Sequence, residues 1–224
     1  MIKLFLFILV VMTGTRSYSQ DPDLLIQKLR NKMELVKSYE ADGMMKTMVS
    51  FLKVPESKVK LYFKRPDKLK IKNENGISLV PKSILGISIQ NLLSGQFTAL
   101  FSGYDSAKLH ILKLIPKDEN SDIALSTLYV DEANLLIRKA KITTKENGTY
   151  ELEMTYGKYS SYALPDKLIC SFNLKDYKLP KGVTFDYDDG SRKQPDAKPQ
   201  NTKGEVEIVY TSYIINKPIP DSEF

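Results

Sequence analysis

Few side chains in this 224-residue chain could carry out covalent or acid–base catalysis. There is one histidine, His110, and one cysteine, Cys170, and each lies in its own largely apolar run. A nucleophile or general base needs a neighbouring group that activates it, and the sequence contains no motif for such a pair. Carboxylates alone could still form an active site, although no motif pairs them. We therefore predict that the protein is not an enzyme, with His110 and Cys170 packed within strands.

One group of carboxylates resembles part of a calcium site. Asp186, Asp188 and Asp189 precede Gly190 with the spacing of half a calcium-binding loop, but no glutamate follows at the expected distance. These residues lie in segment 186–203, which is rich in Pro, Gly, Asp, Lys and Gln and nearly free of apolar residues. Because such a composition is typical of a mobile loop, we expect loop 186–203 to be mobile. No metal and no cofactor are predicted.

The basic charge of the chain is spread out. The formal net charge is +6 at pH 7, yet the lysines alternate with apolar residues instead of forming a block. Nucleic-acid-binding proteins usually concentrate basic residues in a patch, so we predict no nucleic-acid partner. A weak attraction to anionic membrane surfaces remains compatible with this charge.

Residues 1–19 have the features of a cleaved signal peptide. Lys3 provides a positive charge, residues 4–12 form an apolar run, and residues 17–19 (Ser-Tyr-Ser) resemble a cleavage site. The run is far shorter than the roughly 20 residues of a spanning helix, although an uncleaved anchor is the alternative. No cysteine follows the cleavage site, so lipid attachment is not expected there. We predict cleavage near Ser19 and Gln20 and a soluble periplasmic protein that is not lipidated.

Residues 20–224 are predicted to form one domain. A single cysteine allows no intrachain disulfide, so an exported protein of this kind must be stabilised by its core. About 200 residues suffice, because a domain of that size buries roughly 70% of its unfolded surface.

A helix is predicted at the start of the domain. Asp21, Pro22 and Asp23 combine capping aspartates with a first-turn proline. Apolar residues then recur at three- and four-residue spacing as far as Lys37, which indicates one amphipathic helix. The positions of this apolar stripe are Leu24, Leu25, Leu29, Met33 and Val36.

Alternating apolar and polar residues predict strands over most of the remaining chain. In segment 58–72, a corner at Arg65 and Pro66 separates two strands that each have one apolar and one lysine-rich face. The fold class is therefore α+β but mostly β: a strongly curved antiparallel sheet of about ten strands with a helix on its concave face. Strands are predicted at 39–52, 58–64, 68–72, 77–80, 97–103, 108–115, 123–131, 135–144, 149–159, 168–174 and 205–215.

Two of these segments raise specific expectations. Strict alternation in the last strand places Tyr210 and Ile214 on one face, and Tyr213 and Ile215 on the other. Segment 82–94 is instead apolar without strand-like alternation. We interpret its residues 87–93 as short helical turns that lie across the sheet as a plug or lid, with a plain connecting loop as the alternative.

The order of several short motifs is similar to that of a known family, the periplasmic outer-membrane lipoprotein carriers, which are the LolA- and LolB-like lipoprotein-sorting proteins. No single motif is diagnostic, but together they span nearly all the chain after residue 20. The matching pieces are Val36-Lys37-Ser38-Tyr39, Leu61-Tyr62-Phe63-Lys64-Arg65-Pro66-Asp67-Lys68-Leu69, Leu112-Lys113-Leu114-Ile115-Pro116-Lys117, Leu128-Tyr129-Val130-Asp131, Leu164-Pro165-Asp166-Lys167 and Tyr213-Ile214-Ile215-Asn216-Lys217-Pro218-Ile219-Pro220.

This resemblance implies an unclosed, half β-barrel with helices that form a lid over an apolar concave face. It implies that Arg65 ties the lid helices by hydrogen bonds to their backbone. Acyl chains are then expected to contact Ala41, Met45, Val59, Leu61, Phe63, Leu69, Ile71, Ile87, Leu92 and Leu93. The chain departs from the family pattern in lacking a tryptophan beside the Arg65 motif and in its apolar segment 82–94, which leaves the cargo open.

The expected function is that of an exported carrier for the acyl chains of lipoproteins or lipids, which moves them across the periplasm towards the outer membrane. Its partners would be acylated lipoproteins or lipids and, transiently, components of the inner and outer membranes, with the protein itself a monomer. The alternative is a regulatory or sensor module on the same fold, without enzymatic activity.

Overall fold

A computed structural model describes residues 21–49, 52–53, 55–73, 92–146, 148–173 and 203–224. Several sequence predictions fall outside this part of the chain and stay predictions: the signal peptide 1–19, the strand 77–80, the helical turns as far as residue 91, and loop 186–203 apart from Lys203.

Helix α1 spans Pro22–Met33 and begins as its sequence predicts. The side chain of Asp21 accepts a 3.0 Å hydrogen bond from the backbone N–H of Asp23, and thereby satisfies one of the free amides of the first turn. The helix ends before the predicted limit at Lys37 because the following hydrogen bonds join residues three apart, which tightens the last turn before the first strand.

One face of α1 is buried, and it differs by one position from the predicted stripe. Leu25, Ile26, Leu29 and Met33 are buried, whereas Leu24 is 50% exposed. The placement of Leu24 on the stripe was therefore wrong. Ile26 continues to Leu29 and Met33 at three- and four-residue spacing, and this stripe turns Leu24 towards solvent.

Eleven strands follow in the described residues, and every pairing among them is antiparallel. Their bounds are β1 Ser38–Val49, β2 Leu52–Lys53, β3 Ser57–Lys64, β4 Lys68–Asn73, β5 Phe97–Tyr104, β6 His110–Pro116, β7 Ile123–Asp131, β8 Leu136–Thr144, β9 Thr149–Thr155, β10 Lys167–Asn173 and β11 Lys203–Ile215.

Two predicted strands are divided or shortened. The strand predicted at 39–52 is a long strand, β1, followed by the short strand β2, which pairs back on β1 at Met48 and Val49. The strand predicted at 149–159 stops at Thr155, and a 3₁₀ turn at Ser160–Tyr162 follows.

Ten of the strands form one continuous sheet in the order β4-β3-β1-β11-β10-β9-β8-β7-β6-β5, with β2 beside β1. The last strand pairs with the first, so chain order alone does not give the neighbours. Within the described residues β4 and β5 are the two open edges, and the sheet is not closed into a barrel. The predicted fold class, a mostly β, unclosed antiparallel sheet with a helix, is confirmed.

The two faces of the sheet differ as the alternating sequence predicts. The concave face carries fully buried side chains such as Phe63, Leu112, Leu128 and Ile142. The opposite face carries ion pairs between neighbouring strands, each of which contributes little to stability because it is exposed to solvent. Examples are Lys60 with Glu40, Lys139 with Glu153 and Lys167 with Glu207.

A bulge between β1 and β11 changes the face of the last residues of β11. The register shifts between Asp42 and Gly43, so Tyr213 and Ile215 pack on the core while Ile214 is 49% exposed. The strict alternation predicted for this strand was therefore wrong, because one extra residue reverses the faces beyond it. Gly43 is required here, since a Cβ would lie 2.8 Å from the carbonyl oxygen of Val209.

Candidate functional site

Helix α1 covers part of the concave face of the sheet. Its buried side chains belong to the same apolar cluster as those of β1, β3 and β6 to β11. Its closest neighbours include β5 and the Ser160–Tyr162 turn. The helix and the sheet thus enclose one apolar layer, whose chemistry suits an acyl chain.

The structure brings nearly all the predicted acyl-chain residues into this layer. Leu69 and Ile71 of β4 are half-buried at its border, and Ile87 lies outside the described residues. The remaining members are buried at 8% exposure or less; they are Ala41, Met45, Val59, Leu61, Phe63, Leu92 and Leu93. In the conformation described, these side chains pack against each other and against α1, so a ligand would have to displace some of these contacts.

A group of tyrosines at one end of the layer was not foreseen. The ring of Tyr213 lies 5.5 Å from Tyr39, 4.9 Å from Tyr159 and 5.1 Å from Tyr210, and Tyr39 stacks on Phe63 at 5.2 Å. Burial raises the pKa of the Tyr213, Tyr39 and Tyr210 hydroxyls well above their ordinary value. These hydroxyls therefore stay protonated and neutral, which is consistent with a role in packing. No sequence pattern indicates this cluster, because the bulge between β1 and β11 decides which tyrosines face inward.

Arg65 joins the corner between β3 and β4 to the end of α1. Its Nε donates to the carbonyl of Val36 at 2.9 Å and its Nη2 donates to the carbonyl of Met33 at 2.8 Å. Its own backbone N–H donates to the carbonyl of Lys37 at 2.9 Å. The last carbonyls of a helix lack donors within the helix and carry partial negative charge. A guanidinium supplies both the missing N–H donors and a compensating positive charge.

A second arginine, Arg30, joins α1 to the chain that leads into β5. Its Nε donates to the carbonyl of Leu93 and its Nη2 to the carbonyl of Gly95, both at 2.9 Å. Its guanidinium also lies 4.8 Å from the centre of the Phe97 ring, within the range of a cation–π contact. The role of Arg30 was not predicted, because helical periodicity identifies it only as a polar position and does not indicate its partner.

Further polar contacts hold the chain that follows α1. The side chain of Asn216, just after β11, accepts from the backbone N–H of Lys37 at 2.7 Å and donates to the carbonyl of Leu35 at 2.8 Å. Lys32 donates to the carbonyl of Asn134 at 2.6 Å. These bonds join side chains to backbone groups, and they set α1 and the residues after it against two parts of the sheet, the end of β11 and the turn between β7 and β8.

A pocket of about 620 Å³ lies where these connections meet, and we call it the arginine pocket. Arg30, Arg65 and Glu34 provide its charged groups, and Met33 and Leu93 provide apolar surface. The remaining lining residues are Pro66, Ser94 and Gly95. Met33 and Leu93 also belong to the buried apolar cluster, so the pocket adjoins the layer between helix and sheet.

His110 and Cys170 occupy buried strand positions. The Nε2 of His110 lies 3.3 Å from a carboxylate oxygen of Glu132, while its Nδ1 is buried with no hydrogen-bond partner among the described residues. The rings of Tyr104 and Phe101 pack edge-on against it at 4.8 and 5.8 Å. Cys170 is buried, and burial raises the pKa of its thiol to about 12, so a thiolate nucleophile is disfavoured.

Neither a metal site nor a membrane-spanning helix is found in the part of the chain that the structure describes. No three His, Cys, Asp or Glu side chains there are grouped as metal ligands. No helix there is both long and apolar enough to cross a bilayer. The half calcium loop at Asp186 lies outside these residues.

No family model matches the chain, and no curated protein matches it.

Solved structures do resemble it over most of its length. A DUF1329 family protein from Desulfovibrio piger matches with a TM-score of 0.54 at 14% identity, covering 90% of this chain and 96% of its own. A putative outer membrane lipoprotein-sorting protein domain from Vibrio parahaemolyticus matches with a TM-score of 0.55 at 10% identity, covering 89% and 94%. A LolA superfamily protein from Nitrosomonas europaea matches with a TM-score of 0.52 at 10% identity, covering 88% and 96%. At these identities the likeness shows the fold, which is LolA-like as the order of motifs predicted.

Proposed function

We propose that this LolA-like chain is a periplasmic carrier that binds the acyl chains of lipoproteins or lipids between α1 and the concave face of its sheet. It would take its cargo from the inner membrane and deliver it towards the outer membrane without covalent chemistry. The names of two of the similar structures, a lipoprotein-sorting domain and a LolA superfamily protein, support this class of cargo.

One observation carries the proposal: in the described part of the chain, the 12-residue helix α1 covers an apolar sheet face and is fixed there by side-chain bonds to backbone carbonyls. Arg65 and Arg30 bond α1 to two separate neighbouring segments. These bonds hold α1 near its C-terminal end, so the helix can swing away from the sheet about that end while the bonds stay intact. This movement exposes an apolar surface that an acyl chain can cover in place of the helix, and it leaves the two arginine connections in position.

The energetics of such an exchange are balanced. Uncovering the four buried side chains of α1 costs roughly 6–12 kcal/mol, at about 1.5–3 kcal/mol for each. Transferring an acyl chain of about 14 methylenes from water contributes roughly 11 kcal/mol, at about 0.8 kcal/mol for each. Because the two terms are similar, one acyl chain can replace the helix contacts and can also be released.

Native mass spectrometry of the full chain, exported and gently purified, tests the proposal. We expect adducts whose mass and fragmentation identify a lipid or an acylated peptide. A protein that stays empty, and that takes up no acylated ligand from vesicles, would contradict it. A stoichiometric complex with another protein and no lipid would instead favour the sensor alternative.

A further inference from the structure

We propose that the arginine pocket binds the anionic head group of a phospholipid while its acyl chains enter the adjoining apolar layer. The inference rests on the proposed carrier function and narrows its cargo from acyl chains in general to anionic phospholipids. It uses Arg30 and Glu34 together with Arg65, whose bonds to the end of α1 are described above.

The guanidinium groups of Arg30 and Arg65 each carry more N–H donors than their bonds to described backbone carbonyls use. A guanidinium carries five N–H groups, and the bonds of Arg30 and of Arg65 to described backbone carbonyls use two on each. Those bonds hold both side chains in place, so little conformational freedom remains to be lost on binding. The planar fork of a guanidinium matches the paired oxygens of a phosphate and binds them with charge-assisted hydrogen bonds.

The charge of the pocket favours an anion. Two positive groups, Arg30 and Arg65, face one negative group, Glu34, among the lining residues. A neutral diacylglyceryl anchor offers no charge to offset this excess, whereas a phosphodiester does. Glu34 weakens the preference because a carboxylate repels a phosphate and attracts the arginines.

The apolar part of the pocket indicates that the anion carries hydrocarbon. Met33 and Leu93 are 4% and 3% exposed and link the pocket to the buried layer. Inorganic phosphate gains nothing from such a surface, while a phospholipid places its first methylenes there. A volume of about 620 Å³ falls within the roughly 300–1,000 Å³ that is usual for ligand pockets.

The test is a competition between lipids with identical acyl chains. The full chain is incubated with phosphatidylcholine vesicles that contain equal amounts of palmitoyl-oleoyl phosphatidylglycerol and palmitoyl-oleoyl glycerol. The protein is then separated from the vesicles, and its bound lipids are quantified by mass spectrometry. We expect phosphatidylglycerol to be enriched over the diacylglycerol by about tenfold relative to the vesicles.

Variants that change one charge on or next to α1 test whether the arginine pocket causes the enrichment of phosphatidylglycerol. Glu34→Gln removes the negative lining charge and leaves both arginine connections in place, so the enrichment should rise about threefold. Arg30→Gln should lower it about tenfold. Lys28→Gln is the matched control, because it removes one positive charge from an exposed position of the same helix that does not line the pocket, and it should leave the enrichment unchanged.

The outcomes distinguish a failure of the head-group proposal from a failure of the proposed carrier function. Equal binding of the two lipids, or no response to Glu34→Gln, overturns the inference and leaves the carrier function standing. Binding of neither lipid overturns both. If inorganic phosphate alone raises the melting temperature as much as phosphatidylglycerol does, the pocket is a phosphate site and the lipid assignment is wrong.

Discussion

Two neighbouring methionines, Met44 and Met45, lie on opposite faces of β1. Met45 is 2% exposed and packs in the apolar layer, whereas its neighbour Met44 is 36% exposed on the outer face. Both belong to the same strand and have the same side chain. Substitutions at these two positions therefore separate the proposed binding surface from the solvent-facing surface.

We therefore expect Met45→Gln to weaken acyl-chain binding and to lower the free energy of unfolding by about 1–3 kcal/mol, since it buries an amide without a partner. Met44→Gln, the matched control, should change stability by less than about 0.5 kcal/mol and leave binding intact. Chemical denaturation and lipid mass spectrometry of both variants measure these effects. A similar loss of bound lipid in both would show that the chains do not lie on the concave face.

At the scale of elements, α1 is better suited to move than the described strands of the sheet. It is a 12-residue helix with four buried side chains, while each strand of the sheet is bonded along its length to its neighbours. Its position depends on a few long side chains: Arg30 and Lys32 of the helix donate to carbonyls of neighbouring segments, and Arg65 donates to the carbonyl of Met33. The helix can therefore open at a lower cost in free energy than the sheet beneath it.

Arg65→Leu should release the end of α1 while the fold stays intact. It removes two charge-assisted hydrogen bonds and leaves the carbonyls of Met33 and Val36 without these donors. Hydrogen exchange of the amides in α1 should quicken by at least about tenfold, with strand amides unchanged. The rate of cargo release to acceptor membranes should change as well.

Lys64→Leu serves as the control for this variant. It alters the adjacent residue, whose side chain bonds Asp221 near the C-terminus and not α1. Exchange in α1 should then stay as in the unchanged protein. If Arg65→Leu left both helix exchange and the transfer of a lipoprotein between membranes unchanged, Arg65 would have no role in holding the helix.

At the scale of the whole molecule, the sheet is a continuous but unclosed surface. Among the described strands, β1 and β11 are third and fourth in the order, side by side, and β4 and β5 end the sheet. This order brings the first and the last described strand together within the sheet. The concave side stays open between its edges, so that a helix can cover it.

The export prediction applies to the chain as a whole. We expect the protein isolated from the periplasm to begin at Gln20, because residues 17–19 fit a cleavage site. Intact-mass measurement gives the start directly, and light scattering checks that the protein is a monomer. A mass that includes residues 1–19, or an added lipid at the N-terminus, would contradict the prediction.

The sequence by itself determined where most of the described strands lie and which face of most of them is apolar, because a period of two is a local property that burial requires. Segment 58–72 shows this clearly: Val59, Leu61 and Phe63 are buried and the lysines around them are not. The capped start of α1 at Asp21 is likewise local. The order of motifs also indicated the LolA-like fold, though no family model matches the chain.

Only the tertiary structure decided which residues meet across the molecule. The alternating pattern does not specify neighbours, so it could not place β11 beside β1 or show the bulge that turns Tyr213 inward. Arg30 and Leu93 are 63 residues apart in sequence, and they are joined by a single side-chain hydrogen bond. Contacts of this kind depend on how distant segments pack, and they are what shape the arginine pocket above the apolar layer.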